Sequence, residues 1–98
     1  MITHHNERST QMRTEEIATA ARTSRTGTAK ASGGAWHATL TESGSVIIGH
    51  YATSMIEIMR DGSVQPISRG WGSVSDKQGI NKILRYEDAG VLYADLFA

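Results

Sequence analysis

Between Gly70 and Arg85 a tryptophan flanked by glycines runs through a serine-rich turn into a short helical pattern, Gly70-Trp-Gly-Ser-Val-Ser-Asp-Lys-Gln-Gly-Ile-Asn-Lys-Ile-Leu-Arg85. Its large apolar residues, Ile80, Ile83 and Leu84, fall at helical spacing and form one narrow stripe, so the helix needs a sheet to lie on. Ser75 with Gln78 three residues later matches a capping box, and Asp76 adds a first-turn charge that suits the helix dipole. The spacing predicts a helix from Ser75 to Glu87, with Gly90 as the stop and Lys77, Asn81, Lys82 and Arg85 facing outward. Gly79 costs about 1 kcal/mol relative to Ala in a helix interior. Close approach to Trp71 or to a strand would account for it, with Trp71 as the buried anchor of the turn.

The sheet is expected upstream. Trp36, Ala38 and Leu40 alternate with His37 and Thr39, the period of a half-buried strand. Thr41-Glu-Ser-Gly44 reads as a turn, and Ser45–Tyr51 as a second strand rich in β-branched residues. Met55–Arg60 and Ser63–Ser68 follow as strands around Asp61-Gly62, a type I′ hairpin signal. Pro66 lacks a backbone donor, which puts the last of these at an edge. A two-residue turn would pair Met59 with Val64, Ile58 with Gln65 and Ile56 with Ile67. Ile56, Ile58, Gln65 and Ile67 then share the core face, while Met55, Glu57, Met59, Val64 and Pro66 share the other. That second face is apolar for a solvent face, and its methionines adapt to irregular surfaces, so it is the candidate contact patch. Val91–Phe97 is expected as a final strand. The fold class is α+β: a small antiparallel sheet of four to five strands with one helix, from the C-terminal half, on one face.

Residues 1–34 have a different character, with abundant Thr, Ser, Ala, Arg and Gly and few large apolar side chains. They read as a flexible polar arm with a conditional helix over 10–23, whose thin stripe of Ile17, Ala20 and Ala21 requires a surface to form. Residues 35–98 make the domain. Arg22 and Arg25 on the arm extend the candidate protein-binding face.

Lysine plus arginine equal aspartate plus glutamate, ten against ten, so no net field draws the chain to nucleic acid or membrane. Cysteine is absent, which removes disulfides, thiol catalysis and thiolate zinc sites and fits a reducing compartment. No run approaches the roughly 20 apolar residues of a membrane span, and the polar N-terminus lacks a signal-peptide core, so a cytoplasmic location is expected. No serine lies in a Gly-x-Ser-x-Gly elbow. His37 and His50, on neighbouring strands with Glu42, Glu57 and Asp61 within reach, are the one imaginable hydrolytic pairing. His4-His5 lacks the fixed geometry of a metal site. The Gly70–Ser75 turn before a helix could hold an anion with Lys77, yet it lacks the third glycine of the dinucleotide fingerprint and the lysine of a P-loop. No enzyme activity, cofactor or metal is expected.

Tyr51-Ala-Thr53, a glycine-containing hairpin, Gly70-Trp-Gly-Ser-Val-Ser and Gly79-Ile-Asn-Lys-Ile-Leu84 together resemble a family of small uncharacterised proteins encoded by bacteriophages and prophages. Members carry a Tyr-x-Thr strand, a Trp-x-Ser-x-Thr-Thr turn, a basic residue with a histidine and an Ile-Asn-basic-apolar-Leu helix. Here Ser75-Asp76 departs from the threonine pair, and Gln78 stands near the histidine position. The resemblance covers Trp36 to Arg85 and implies a phage origin and a host cytoplasm. The expected function is a non-enzymatic accessory protein that binds a host protein through Met55, Glu57, Met59, Val64, Arg22 and Arg25, inhibiting a defence or metabolic system. Nucleic-acid binding through Arg22, Arg25, Lys77, Lys82 and Arg85 is the alternative, and a small virion component, or a homo-oligomer, a further one.

Overall fold

The strand-forming runs pair in the order in which they occur. In a computed structural model, which describes residues 12–98, β1 (Thr28–Ala31), β2 (Trp36–Leu40), β3 (Val46–His50), β4 (Thr53–Ile58) and β5 (Val64–Pro66) form one antiparallel sheet. A 3-10 turn at Thr14–Glu16 leads into helix α1 (Ile17–Thr23), and α2 (Val74–Tyr86) and α3 (Tyr93–Leu96) follow the sheet. The architecture is α+β, and Pro66 does lie on an edge strand.

The ladder register sorts the side chains. Ala31 opposes Trp36, Trp36 opposes His50, Ala38 opposes Ile48, and Ile48 opposes Ile56, so these residues share one face. That face carries the core, closed by Ile17, Ala18 and Ala21 of α1 and by Ile80, Ile83 and Leu84 of α2. The opposite face carries Thr28, Lys30, His37, Thr39, Ile47, Glu57 and Gln65. No helix among the described residues lies on it. None of those helices is long and apolar enough to cross a membrane.

The polar arm is the largest departure from the sequence reading. From Thr14 onward it belongs to the domain: α1 lies on the sheet with Ile17, Ala18 and Ala21 fully buried, and β1 supplies the fifth strand. Small alanines make a weak hydrophobic signal, yet they let a helix approach a sheet closely. Residues 10 and 11 of the expected helix, with His4 and His5, lie outside the described residues. The C-terminal segment expected as a strand is instead the single turn α3, where the Asp95 carboxylate accepts the Leu92 N–H at 2.8 Å.

The Asp61-Gly62 turn also differs. Met59 N–H donates to the Ser63 carbonyl at 2.7 Å, and only Gly62 of the turn has positive φ, at 93°. This is a three-residue loop with a left-handed glycine, not the two-residue I′ turn. Ile58 therefore opposes Val64, Glu57 opposes Gln65 and Ile56 opposes Pro66. One residue of slip exchanges the faces of β5. A bulge between Ile48 and Gly49 adds a second irregularity, because Ile56 and Ser54 are paired while Met55 is not. The Met55 carbonyl then accepts the N–H groups of Ile67 and Ser68 at 2.8 and 3.1 Å.

Candidate functional site

The cap of helix α2 lies two residues earlier than its serine pattern indicates. Ser73, not Ser75, is the N-cap: its Oγ accepts the Asp76 N–H at 3.1 Å, and Asp76 Oδ2 accepts the Ser73 N–H at 3.2 Å. The same Oδ2 also accepts the Trp71 N–H at 3.0 Å. Gly70 N–H donates to Ser68 Oγ and Gly72 N–H to the Arg69 carbonyl. Every amide of Gly70–Ser73 is thus already committed. The anion this turn holds is the chain's own Asp76 carboxylate.

From the sheet, His50 Nδ1–H donates to Asp76 Oδ1 at 2.6 Å, and both side chains are buried. Burial, the largest single influence on Asp76, raises its pKa. The bonds from His50, Ser73 and Trp71 together outweigh that effect and hold the carboxyl below its ordinary range. An aspartate–histidine pair is two parts of a nucleophilic triad. Here, however, the imidazole is stacked on Trp36, with ring centroids 4.0 Å apart and planes 11° apart, and Tyr51 packs at 4.5 Å. Among the described residues no hydroxyl bonds Nε2, so the pair acts as a buried clamp between sheet and helix. His37 sits on the opposite sheet face, its Nε2 2.6 Å from the Tyr51 carbonyl oxygen. The two histidines are on adjacent strands but cannot act together.

The clamp fixes a display of apolar side chains. Trp71 is 91% exposed, between Gly70 at φ 67° and Gly72 at φ 69°. The buried anchor expected at this position is Trp36 instead, whose ring lies against Gly79. Tyr51, next to His50, is 69% exposed and adopts φ 54°, an uncommon conformation for a bulky residue. Ile67, in the connection between β5 and α2, and Val74, the first residue of α2, are exposed as well. Both aromatics therefore adjoin the two ends of the His50–Asp76 bond. The glycine–tryptophan–glycine run marked the place, but sequence reasoning put the ring inside.

The expected contact patch does not assemble. Met55 is fully buried in the core, and Val64 shares the core face with Ile58. Glu57 is on the opposite face, where its Oε2 accepts Ser45 Oγ–H. Met59 is half-buried at the start of the hairpin loop. Arg22 pairs with Glu87 at 2.8 Å, joining α1 to the C-cap of α2, while Arg25 is exposed. The basic residues of α2 separate likewise. Lys77 lines a depression with Asn81, Tyr93 and Phe97, whereas Lys82 and Arg85 line another with Glu15 and Tyr86. Among the described residues no group of three or more histidines and carboxylates is placed to hold a metal ion. The chain matches no family model, no curated protein and no solved structure.

Proposed function

We propose that this chain is a non-enzymatic accessory protein that binds a partner protein through Tyr51 and Trp71, flanked by Ile67 and Val74. The observation that carries the reading is an indole 91% exposed on a backbone held rigid by a buried carboxylate. Tryptophan and tyrosine dominate the energetics of protein interfaces. Burying about 200 Å² of indole is worth roughly 5 kcal/mol before the costs of association. A pre-fixed turn reduces those costs, because little ordering is left for the binding step.

The resemblance to phage-encoded proteins makes a bacterial host protein the expected partner and the host cytoplasm the expected location. The patch of Met55, Glu57, Met59 and Val64 drops out of this reading, since two of its members face the core. The test is capture from bacterial lysate by the tagged full chain, followed by mass spectrometry. One host protein should be captured and lost with Trp71→Ala, while Arg25→Ala retains it. Undiminished capture by the Tyr51→Ala/Trp71→Ala double variant, or no capture by the parent chain, would overturn the reading.

A further inference from the structure

The outer face of α2 carries a groove unrelated to the Trp71 turn. Ser75, Gln78, Gly79, Lys82, Arg85 and Tyr86 recur at intervals of one helical turn and form a single stripe. Two depressions adjoin along this stripe and share Lys82. The narrower, about 160 Å³, is lined by Thr14, Ser32, Ser75, Gln78 and Lys82; the Thr14 and Ser32 hydroxyls bond each other at 3.1 Å, and that of Ser75 lies 3.3 Å from Ser73 Oγ. Trp36 and Gly79 form its floor. The wider, about 420 Å³, is edged by Glu15, Lys82, Arg85 and Tyr86.

The chemistry differs between the two ends. The narrow end is lined by hydroxyl, amide and ammonium groups and no carboxylate; each of the Thr14–Ser32 and Ser73–Ser75 hydroxyl pairs keeps one O–H to donate, which with Lys82 suits a compact anion. Ser32 reaches it from a turn in which Ser32, Gly33 and Gly34 all have positive φ, at 54°, 67° and 93°. Such strain in a non-glycine residue is a pointer toward function. Among the described residues neither Lys82 nor Arg85 forms an ion pair, whereas Glu15 lies 3.9 Å from Arg13. The wide end offers a half-exposed phenol ring for stacking and a carboxylate able to accept from a sugar hydroxyl or an amino group. The depressions are shallow and open to solvent, and together they have about the volume of a small ligand.

We propose that this groove binds a small phosphorylated molecule carrying a flat ring, of the nucleoside monophosphate class. The phosphate sits at the narrow end against Lys82, Ser32 and Ser75. The ring lies on Tyr86, and Glu15 takes a ribose hydroxyl.

The experiment is calorimetric titration of the full chain with AMP, adenosine, inorganic phosphate and a 5′-phosphorylated oligothymidylate, with amide and indole NMR shifts to locate binding. AMP should bind saturably below about 1 mM, moving the Gly79 amide and the Trp36 indole while leaving Trp71 in place. Lys82→Gln, at an exposed position and checked for intact fold by circular dichroism, should weaken AMP at least tenfold, as should Tyr86→Ala. Adenosine and phosphate alone should each bind at least tenfold more weakly than AMP. Absent saturation, affinity unchanged by Lys82→Gln, phosphate binding as tightly as AMP, or the oligonucleotide binding more tightly than AMP would each overturn the proposal.

Discussion

Replacing Gly79 by Ala tests the packing on which the site rests. In an open helix position the change stabilises by about 1 kcal/mol. Here an added Cβ would stand 2.5 Å from Trp36 Cε2 and 2.7 Å from Cη2, and closer still to Cζ2. Carbon atoms prefer roughly 3.5–4.0 Å, so the ring would have to withdraw by about 1 Å or more. Trp36 cannot withdraw freely, because it is buried and stacked on His50, which in turn is bonded to Asp76. Overpacking of this kind costs about 1–3 kcal/mol, and an overlap this deep belongs at or above the upper end. After the helix gain is subtracted, Gly79→Ala should destabilise by about 2 kcal/mol, lowering Tm by about 8–16 °C in a domain of this size. Thermal and urea unfolding followed by circular dichroism measure it. In a Trp36→Leu background the same substitution should become neutral or stabilising, giving a coupling of about 2 kcal/mol. A Gly79→Ala chain as stable as its parent, or an equal loss in both backgrounds, would refute the argument.

Asp76→Asn should cost about 3 kcal/mol, since it leaves a buried histidine and two turn amides with a weaker acceptor. Because the folded-state pKa of Asp76 is depressed, its contribution is present above the unfolded value of about 3.9 and is lost as pH falls through the lower folded value. Urea unfolding between pH 6 and pH 2.5 should show the parent losing stability below about pH 4 more steeply than Asp76→Asn; equal slopes would count against the assignment. Trp71→Ala should leave stability within about 0.5 kcal/mol, because the ring is exposed. It should also remove most acrylamide-quenchable fluorescence, leaving the blue-shifted emission of Trp36; loss of the blue component instead would reverse the two assignments. Asp88, just past the C-cap of α2, has φ 55°, while its N–H and that of Ala89 satisfy the Arg85 and Leu84 carbonyls. Asp88→Gly should therefore stabilise by about 1 kcal/mol, read as a higher urea midpoint with an unchanged slope.

The parts of the fold carried by strong periodicity were legible in the sequence. The Trp36–Leu40 alternation, the isoleucine-rich strands and the Ile80/Ile83/Leu84 stripe all stand where their patterns put them. What escaped depended on contacts between distant residues. Ser73-x-x-Asp76 and Ser75-x-x-Gln78 are both capping patterns, and only the first brings a carboxylate to His50. Asp61-Gly62 fits both two-residue and three-residue loops, and that one-residue ambiguity misassigned the faces of Val64, Gln65 and Ile67. Met55 was misassigned for another reason, a bulge that no local pattern marks. Gly79 did signal a close approach, but two tryptophans were available to fill it. The strand alternation already put Trp36 on the buried face, whereas Trp71, between glycines, lies in no such pattern. The α1 stripe was discounted because alanines bury little area, although their small size is what lets the helix lie close to the sheet.

The sequential order of the strands bears on how the chain is made. Each strand pairs with its neighbours in sequence across connections of two to five residues, so the sheet requires only short loop closures. On a ribosome the ladder can be completed once Pro66 has emerged. At that moment α2 is still unsynthesised, His50 has no carboxylate partner, and the ring of Trp36, stacked on His50, lacks the Gly79 surface it packs against. A nascent chain halted at Ser68 would have every strand in register and the part of its core that Ile80, Ile83 and Leu84 cover open to water, which makes the interval before α2 arrives the time of greatest exposure to aggregation.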